Sequence, residues 1–210
     1  MRLAHRLAVS TAAATTALIV FGGLVTNTGA ALAVPDWPTT FGHNMFLFPW
    51  SGMVGGVFYE HSHRLLGAVT GLLTLGLALA LARAGRRLAW LGLLAVAAVV
   101  AQGVIGGLRV VLLADGLAMV HGPLAHAFFG LVVAIAVLTS RRMAEPPALD
   151  PALRPAILAA AGLVYAQIVF GAFLTHAGRI DLHLAGAVAV LVLVPLVAAR
   201  ARRSGDAVAA

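Results

Sequence analysis

Three histidines, His63, His121 and His183, each stand at the start of a long apolar segment that follows a glycine-bearing one. Ionisable side chains are costly within a bilayer, so several at one depth imply a ligand site. The densest cluster, Glu60-His61-Ser62-His63-Arg64, sets an acid, two metal-ligating imidazoles and a cation side by side. On a helix Glu60, His63 and Arg64 share a face through i,i+3 and i,i+4 spacing. His61 and His63 lie about 200° apart on that helix, so they serve different pockets.

His121 opens a later apolar segment at the same level as His63. Two neutral imidazoles from facing helices suit a six-coordinate heme iron. They also suit zinc, which wants three or four protein ligands and would recruit a carboxylate. No His-Glu-x-x-His helix is present for a zinc protease, nor any serine nucleophile motif, phosphate loop or EF-hand. His126 falls about 140° around the helix from His121 and reads as a packing or hydrogen-bonded residue. His183 and His176 could form a second, looser site, with His176 equally a solvated turn residue. Arg64, Arg109 and Arg179 either attract acidic groups such as heme propionates or anchor helix ends by snorkelling. His5 reads as a surface residue and His43 as a loop residue.

The elements that must position these residues are membrane spans. The chain has 210 residues, 61% hydrophobic and 10% charged, with a mean hydropathy of +1.01, which excludes a soluble globule. A span takes about 20 apolar residues, and six stretches qualify: roughly 7–28, 64–83, 88–108, 119–139, 156–175 and 182–199. All fourteen basic residues are arginines. Arg2, Arg6, Arg83, Arg86, Arg87, Arg141, Arg142, Arg154, Arg200, Arg202 and Arg203 fall on one side of this topology, and only Arg64, Arg109 and Arg179 on the other. The positive-inside rule then puts both termini in the cytoplasm and the loop 29–60 outside. The +7 charge therefore calls for no nucleic-acid partner. With no cysteine, disulfides and thiolate ligation are unavailable. Arg2, Arg6 and the later Ala31-Leu32-Ala33 imitate a signal peptide, but the apolar run is long for one, and its retention as the first span is expected.

Aligned, the segments repeat. Span 1 ends Phe21-Gly22-Gly23-Leu24-Val25-Thr26; span 3 carries Gln102 and then Ile105-Gly106-Gly107-Leu108; span 5 carries Gln167 and then Phe170-Gly171-Ala172-Phe173. Each is followed by a histidine-opened span with small residues: His63 with Gly67-Ala68, His121 with Ala125, His183 with Ala185-Gly186-Ala187. The expected fold is an all-α polytopic membrane protein of six transmembrane helices in three hairpins, both termini inside. It forms a single membrane domain, 1–210, with a four-helix half at 1–140 and a smaller hairpin at 155–203. Glycine and alanine pairs let membrane helices approach closely, and internal repeats commonly place a binding site at their interface. In the loop, Pro35-Asp36-Trp37-Pro38 reads as a turn, and Phe41, Phe46, Phe48, Trp50, Phe58 and Tyr59 as an aromatic belt at the headgroups. Gly52, Gly55 and Gly56 suggest a tight return to the membrane. The loop is either a lid or an ordinary interfacial segment.

The motifs Gly22-Gly23-Leu24-Val25-Thr26-Asn27-Thr28-Gly29, Pro35-Asp36-Trp37-Pro38, Glu60-x-x-His63-Arg64 and Gln102-x-x-x-Gly106-Gly107, with His121, resemble those of the heme A synthase family of cytochrome oxidase assembly. The resemblance implies oxidation of the C8 methyl of heme O toward the formyl group of heme A. It makes His63 and His121 the axial pair of the substrate heme and Glu60 the catalytic acid near the reacting methyl. Arg64 and Arg109 would contact the heme, and His183 would match one ligand of a second, b-type heme. Implied partners are heme O, an external electron donor, heme O synthase and cytochrome oxidase subunit I, in a prokaryotic-type cytoplasmic membrane, with oligomers allowed. Typical members have eight spans in two four-helix halves, and many carry a cysteine pair flanking the Pro-Asp-Trp-Pro element; here Val34 and Thr39 or Thr40 stand there. The alternatives are a non-catalytic heme-binding or delivery factor and a bis-histidine cytochrome b.

Overall fold

The computed structural model describes the backbone of residues 1–141 and 151–209, with side chains as far as 203. Arg142, one of the arginines assigned to the cytoplasmic side, lies outside the described residues. The helices are α1 (Arg2–Asn27), α2 (Gly56–Ala82), α3 (Arg86–Leu112), α4 (Gly116–Leu138), α5 (Arg154–Ala177) and α6 (Ile180–Ala209). Among the described residues these six are long and apolar enough to cross a membrane, and no strand forms. The protein is an all-helical, multi-pass membrane protein.

Several helices outrun their apolar stretches. Hydropathy marks only the hydrocarbon crossing, whereas the helix continues until something stops the i→i−4 ladder. The difference that matters for the site is at α2, which begins at Gly56 and so takes in Glu60 and His61. Gly55 precedes it with φ +55°, a left-handed turn that suits glycine. At the far end of α5, Gly178 (φ +66°) closes a C-cap in which its N–H bonds the Leu174 carbonyl.

The chain divides into two compact units, Met1–Met143 and Ala144–Ala210. In the first, α1 packs on α2 and α4, and α3 packs on the same two, so the four helices form a ring. One end of the ring is an apolar core: Ala4, Ala8, Leu77, Leu81, Ala95, Phe128, Val132 and Ile135 are buried together. Toward the middle, Thr11 and Thr15 on α1 and Thr70 and Thr74 on α2 are fully buried. Each hydroxyl donates to the carbonyl four residues back, at 2.7–2.8 Å, which removes the cost of burying it. His5 is not a surface residue. It is half-buried, and its Nδ1 reaches the Ala136 carbonyl of α4 at 2.9 Å, because α1 is drawn against α4 there. In the second unit α5 packs on α6, preceded by a 3₁₀ turn at Pro151–Leu153.

The α1–α2 connection, residues 28–55, is long and ordered at its base. Ala30, Val34 and Thr40 are buried, and Asp36 organises the turn that follows. Its carboxylate accepts the Thr39 hydroxyl and the N–H groups of Phe41 (2.7 Å) and Gly42 (2.8 Å); the turn holds a cis Trp37–Pro38 peptide. Farther out the aromatic residues split: Phe46 and Trp50 are exposed, whereas Phe48 packs on His61, their ring centres 5.1 Å apart.

Desolvation works to raise the pKa of Asp36, but the hydrogen bonds from Thr39, Gly42 and Phe41 outweigh it and hold the carboxyl below its ordinary 3.8. A depressed folded pKa stabilises the loop above the unfolded value and ceases to do so as pH falls through the folded one. The stability advantage of the wild type over Asp36→Asn should therefore be full above about pH 5 and shrink below about pH 4. Thermal unfolding in detergent across that range tests it; a difference independent of pH refutes the assignment.

Candidate functional site

Glu60, His61, His63 and Arg64 all lie in the first turns of α2 and point to two different places. Glu60 and Arg64, i,i+4, form an ion pair at 2.7 Å with side chains 7% and 9% exposed. The other Glu60 oxygen accepts the Val34 N–H at 3.0 Å. Arg64 Nη1 donates to the carbonyls of Asp36 (2.6 Å) and Thr39 (3.0 Å), and Nη2 to the Val34 carbonyl (3.0 Å) as well as to Glu60. Four of the five guanidinium donors are thus spent on the carboxylate and on loop backbone. His61, 1% exposed, adds a 3.1 Å hydrogen bond between Nδ1 and the Thr40 hydroxyl. These contacts clamp residues 34–40 to α2.

His63 faces the other way. Its Nδ1–H donates to the Leu18 carbonyl of α1 at 3.1 Å, which leaves Nε2 with its lone pair free. The ring lies against Gly22, where an added Cβ would stand 3.1 Å from Cε1. His121 repeats the arrangement: the same Cβ at Gly106 of α3 would stand 3.1 Å from its Cε1. Gln102, one turn before Gly106, donates to the His121 carbonyl at 3.0 Å. The Gln102 Oε1 and His121 Nδ1 atoms are both buried without a protein partner. The two rings meet inside the ring of helices, their centres 6.4 Å apart and their planes at 69°.

The expected site residues sort as follows. His63 and His121 come together, and Glu60 lies on α2 one turn before His63. Arg64 is occupied by the loop. Arg109, in the last turn of α3, keeps a buried Nε without a partner. His126 bonds its own helix at the Gly122 carbonyl, 2.9 Å, as its angular offset implied. In the second unit His183 lies beside Gly171, and Gln167 Nε2 reaches both its carbonyl (3.0 Å) and its Nδ1 (3.2 Å). An Nδ1 that accepts a hydrogen bond puts the neutral ring's proton on Nε2, the opposite of His63. His176 is exposed at the end of α5.

Two elements escaped the sequence reading. One is the set of backbone carbonyls that receive Arg64, which side-chain types do not encode. The other is Trp37, whose indole lies flat against Gly107 of α3, so that an added Cβ there would fall inside it. The doubled glycine Gly106-Gly107 and the tryptophan of the Pro-Asp-Trp-Pro turn were its only signal.

Removing one member of a buried ion pair strands the other. Arg64→Ala should therefore cost about 3–5 kcal/mol, and Glu60→Ala/Arg64→Ala together less than Arg64→Ala alone. Thermal unfolding of both variants in detergent measures the difference, and additive costs would show that the two side chains are not coupled.

Residues 51–180 match the COX15-CtaA family, described as cytochrome oxidase assembly protein. Nothing matches among curated proteins or among solved structures. The matched segment runs from the end of the loop through α2, α3, α4 and α5, and holds Glu60, His63, Arg64, Gln102, Arg109 and His121. By that match over more than half its length, the chain belongs to the COX15-CtaA family of cytochrome oxidase assembly proteins.

Proposed function

We propose that the protein is a heme A synthase-like enzyme that binds heme O between His63 and His121 and oxidises its C8 methyl group toward the formyl of heme A. The separation of the two imidazoles carries the reading. Ring centres 6.4 Å apart match the roughly 6 Å expected for two rings on one metal, from two bonds of about 2 Å plus the two ring radii. The donor set fits heme and not zinc. No group of three or more His, Cys, Asp or Glu gathers among the described residues, so the metal must bring its own equatorial ligands, as a porphyrin iron does.

Bound heme would supply the methyl carbon to be oxidised and an iron to exchange electrons; each two-electron oxidation also needs an external oxidant, dioxygen, one atom of which leaves as water with the two electrons of the external donor. The chain's own residues do the rest. The Leu18 carbonyl fixes the tautomer and orientation of His63. Gln102 holds the start of α4 through the His121 carbonyl. Arg109 offers a guanidinium to the propionates, and Arg64 supports the loop beside them. Glu60 contributes a buried negative charge one turn from His63. With one oxygen on Arg64 and the other on the Val34 N–H, it stabilises and positions. The arginine distribution supports a cytoplasmic membrane with both termini inside and this site near the outer face. His183, held by Gln167, is left for a second heme only if its ring changes tautomer.

The engagement of Glu60 favours one competing reading, a non-catalytic heme-binding or delivery factor for oxidase assembly. Expression in a membrane that makes heme O, followed by extraction and mass analysis, separates the two. Heme A or its hydroxylated precursor is the expected product; unchanged heme O with donor and dioxygen both present supports the delivery factor. In either case His63→Ala or His121→Ala should remove most of the bound heme, read from the low-spin absorption spectrum. A full heme spectrum in either variant refutes the ligand assignment.

A further inference from the structure

The pairs α1–α2 and α3–α4 are repeats of one another at the level of the site. A Cβ at Gly22 would stand 3.1, 3.6 and 3.9 Å from Cε1, Nδ1 and Nε2 of His63, and a Cβ at Gly106 would stand at the same three distances from His121. A site built from two such repeats offers nearly the same surroundings to a planar ligand either way round. Exchanging the ligand's faces exchanges His63 for His121 and one edge of the macrocycle for the other. Heme is not symmetric in that exchange, so a reaction at one methyl requires something that makes the two edges unlike.

The connections between helices supply the difference. Between α1 and α2 run residues 28–55, whereas between α3 and α4 there are only Leu113, Ala114 and Asp115. Only the long connection folds back over the ring. Arg64 holds it by the carbonyls of Asp36 and Thr39 on either side of Trp37-Pro38, and the indole of Trp37 seats on Gly107 of α3. The equivalent glycine on α1 is Gly23, next to Gly22 as Gly107 is next to Gly106. Gly23 is exposed, and a Cβ there would meet nothing within 4 Å. On the α3 side a ring stands against the second glycine of the pair, and on the α1 side nothing does.

We propose that Trp37, seated on Gly107 and held by the Glu60–Arg64 clamp, is the specificity-determining residue that fixes which way round an asymmetric planar ligand sits between His63 and His121. The inference rests on the heme reading above and adds to it the choice of edge. It gives Glu60 and Arg64 a positioning role that acts through the loop. A side chain at Gly107 would have to displace the indole, which occupies the place of its Cβ.

The test uses the full chain in detergent, reconstituted with hemin, whose vinyl and methyl pattern makes the two orientations distinct. Ring-methyl NMR signals of the low-spin ferric heme count them, so the readout does not depend on turnover. The wild type should hold one orientation in an excess of about tenfold, the ratio that one aromatic contact sustains. Trp37→Ala should bring the two toward equal populations, and Trp37→Phe should restore most of the preference. Gly107→Ala displaces the indole by a single methyl and should act as Trp37→Ala does, even should the latter fail to fold. Gly103→Ala, one turn away on α3 with nothing within 4 Å of its added Cβ, should change nothing. Equal orientations in the wild type, or an unchanged excess in Gly107→Ala with both histidines still bound, overturn the proposal and leave the heme reading standing. A wild type that takes up no heme, or binds it without both histidines, overturns the heme reading itself.

Discussion

An imidazole on the inner face of a membrane helix needs room opposite it and a partner for its ring nitrogen. Between helices in lipid there is no hydrophobic force to spare, and close packing of backbone decides which contacts form. Glycine answers the first need: Gly22 and Gly106 let His63 and His121 lie against bare backbone. For His63 a carbonyl of the facing helix, Leu18, answers the second. Those contacts set how closely α1 approaches α2 and α3 approaches α4. They also fix the level at which the two rings meet, opposite the apolar core at the other end of the bundle.

Above this level the structure depends on a buried charge pair. Taking Glu60 and Arg64 out of water is costly, and the cost is offset only where nearly every donor and acceptor finds a partner. The loop provides them in its own backbone, the Val34 N–H for Glu60 and three carbonyls for Arg64. Loop and helix therefore stabilise each other: without the loop the pair is unsatisfied, and without the pair residues 34–40 lose their anchor. His61 on the far side of the same turn ties Thr40 and Phe48 to the same surface. The cluster Glu60-His61-Ser62-His63-Arg64 is thus divided between two tasks, loop anchoring on one side and the histidine pair on the other.

The repeat extends to α5 and α6 with its chemistry altered. Gly171 and His183 face each other as the other two pairs do, though at a looser 3.7 Å. Gln167 corresponds in position to Gln102, yet it reaches the ring nitrogen as well as the backbone carbonyl. A glutamine amide that donates to Nδ1 selects the tautomer with its proton on Nε2, where the Leu18 carbonyl selects the reverse for His63. One sequence pattern therefore holds its histidines in different ways, and Gln102 and Gln167, alike in position, differ in whether the amide reaches the ring.

Much of this was legible in the chain. The six spans, the register of glycine against histidine and the shared face of Glu60 and Arg64 follow from hydropathy, helical period and residue type, which are local properties. The separation of His61 from His63 followed from helical angle alone, and the bond from His126 to its own helix agreed with its offset from His121. Tertiary structure decided what those properties do not contain. The start of α2 at Gly56 lies well outside the apolar run, where Gly52, Gly55 and Gly56 were the one sequence sign of a return and gave no helix boundary. The partner of His5 depended on how α4 meets α1, and the donors of Arg64 found backbone carbonyls, which every residue carries and none advertises. The seat of Trp37 on Gly107 required a loop of twenty-eight residues (28–55) to fold back across a helix distant in sequence. Spacing along one helix is set by its geometry; contacts between a loop and another helix are set by the packing of the whole bundle.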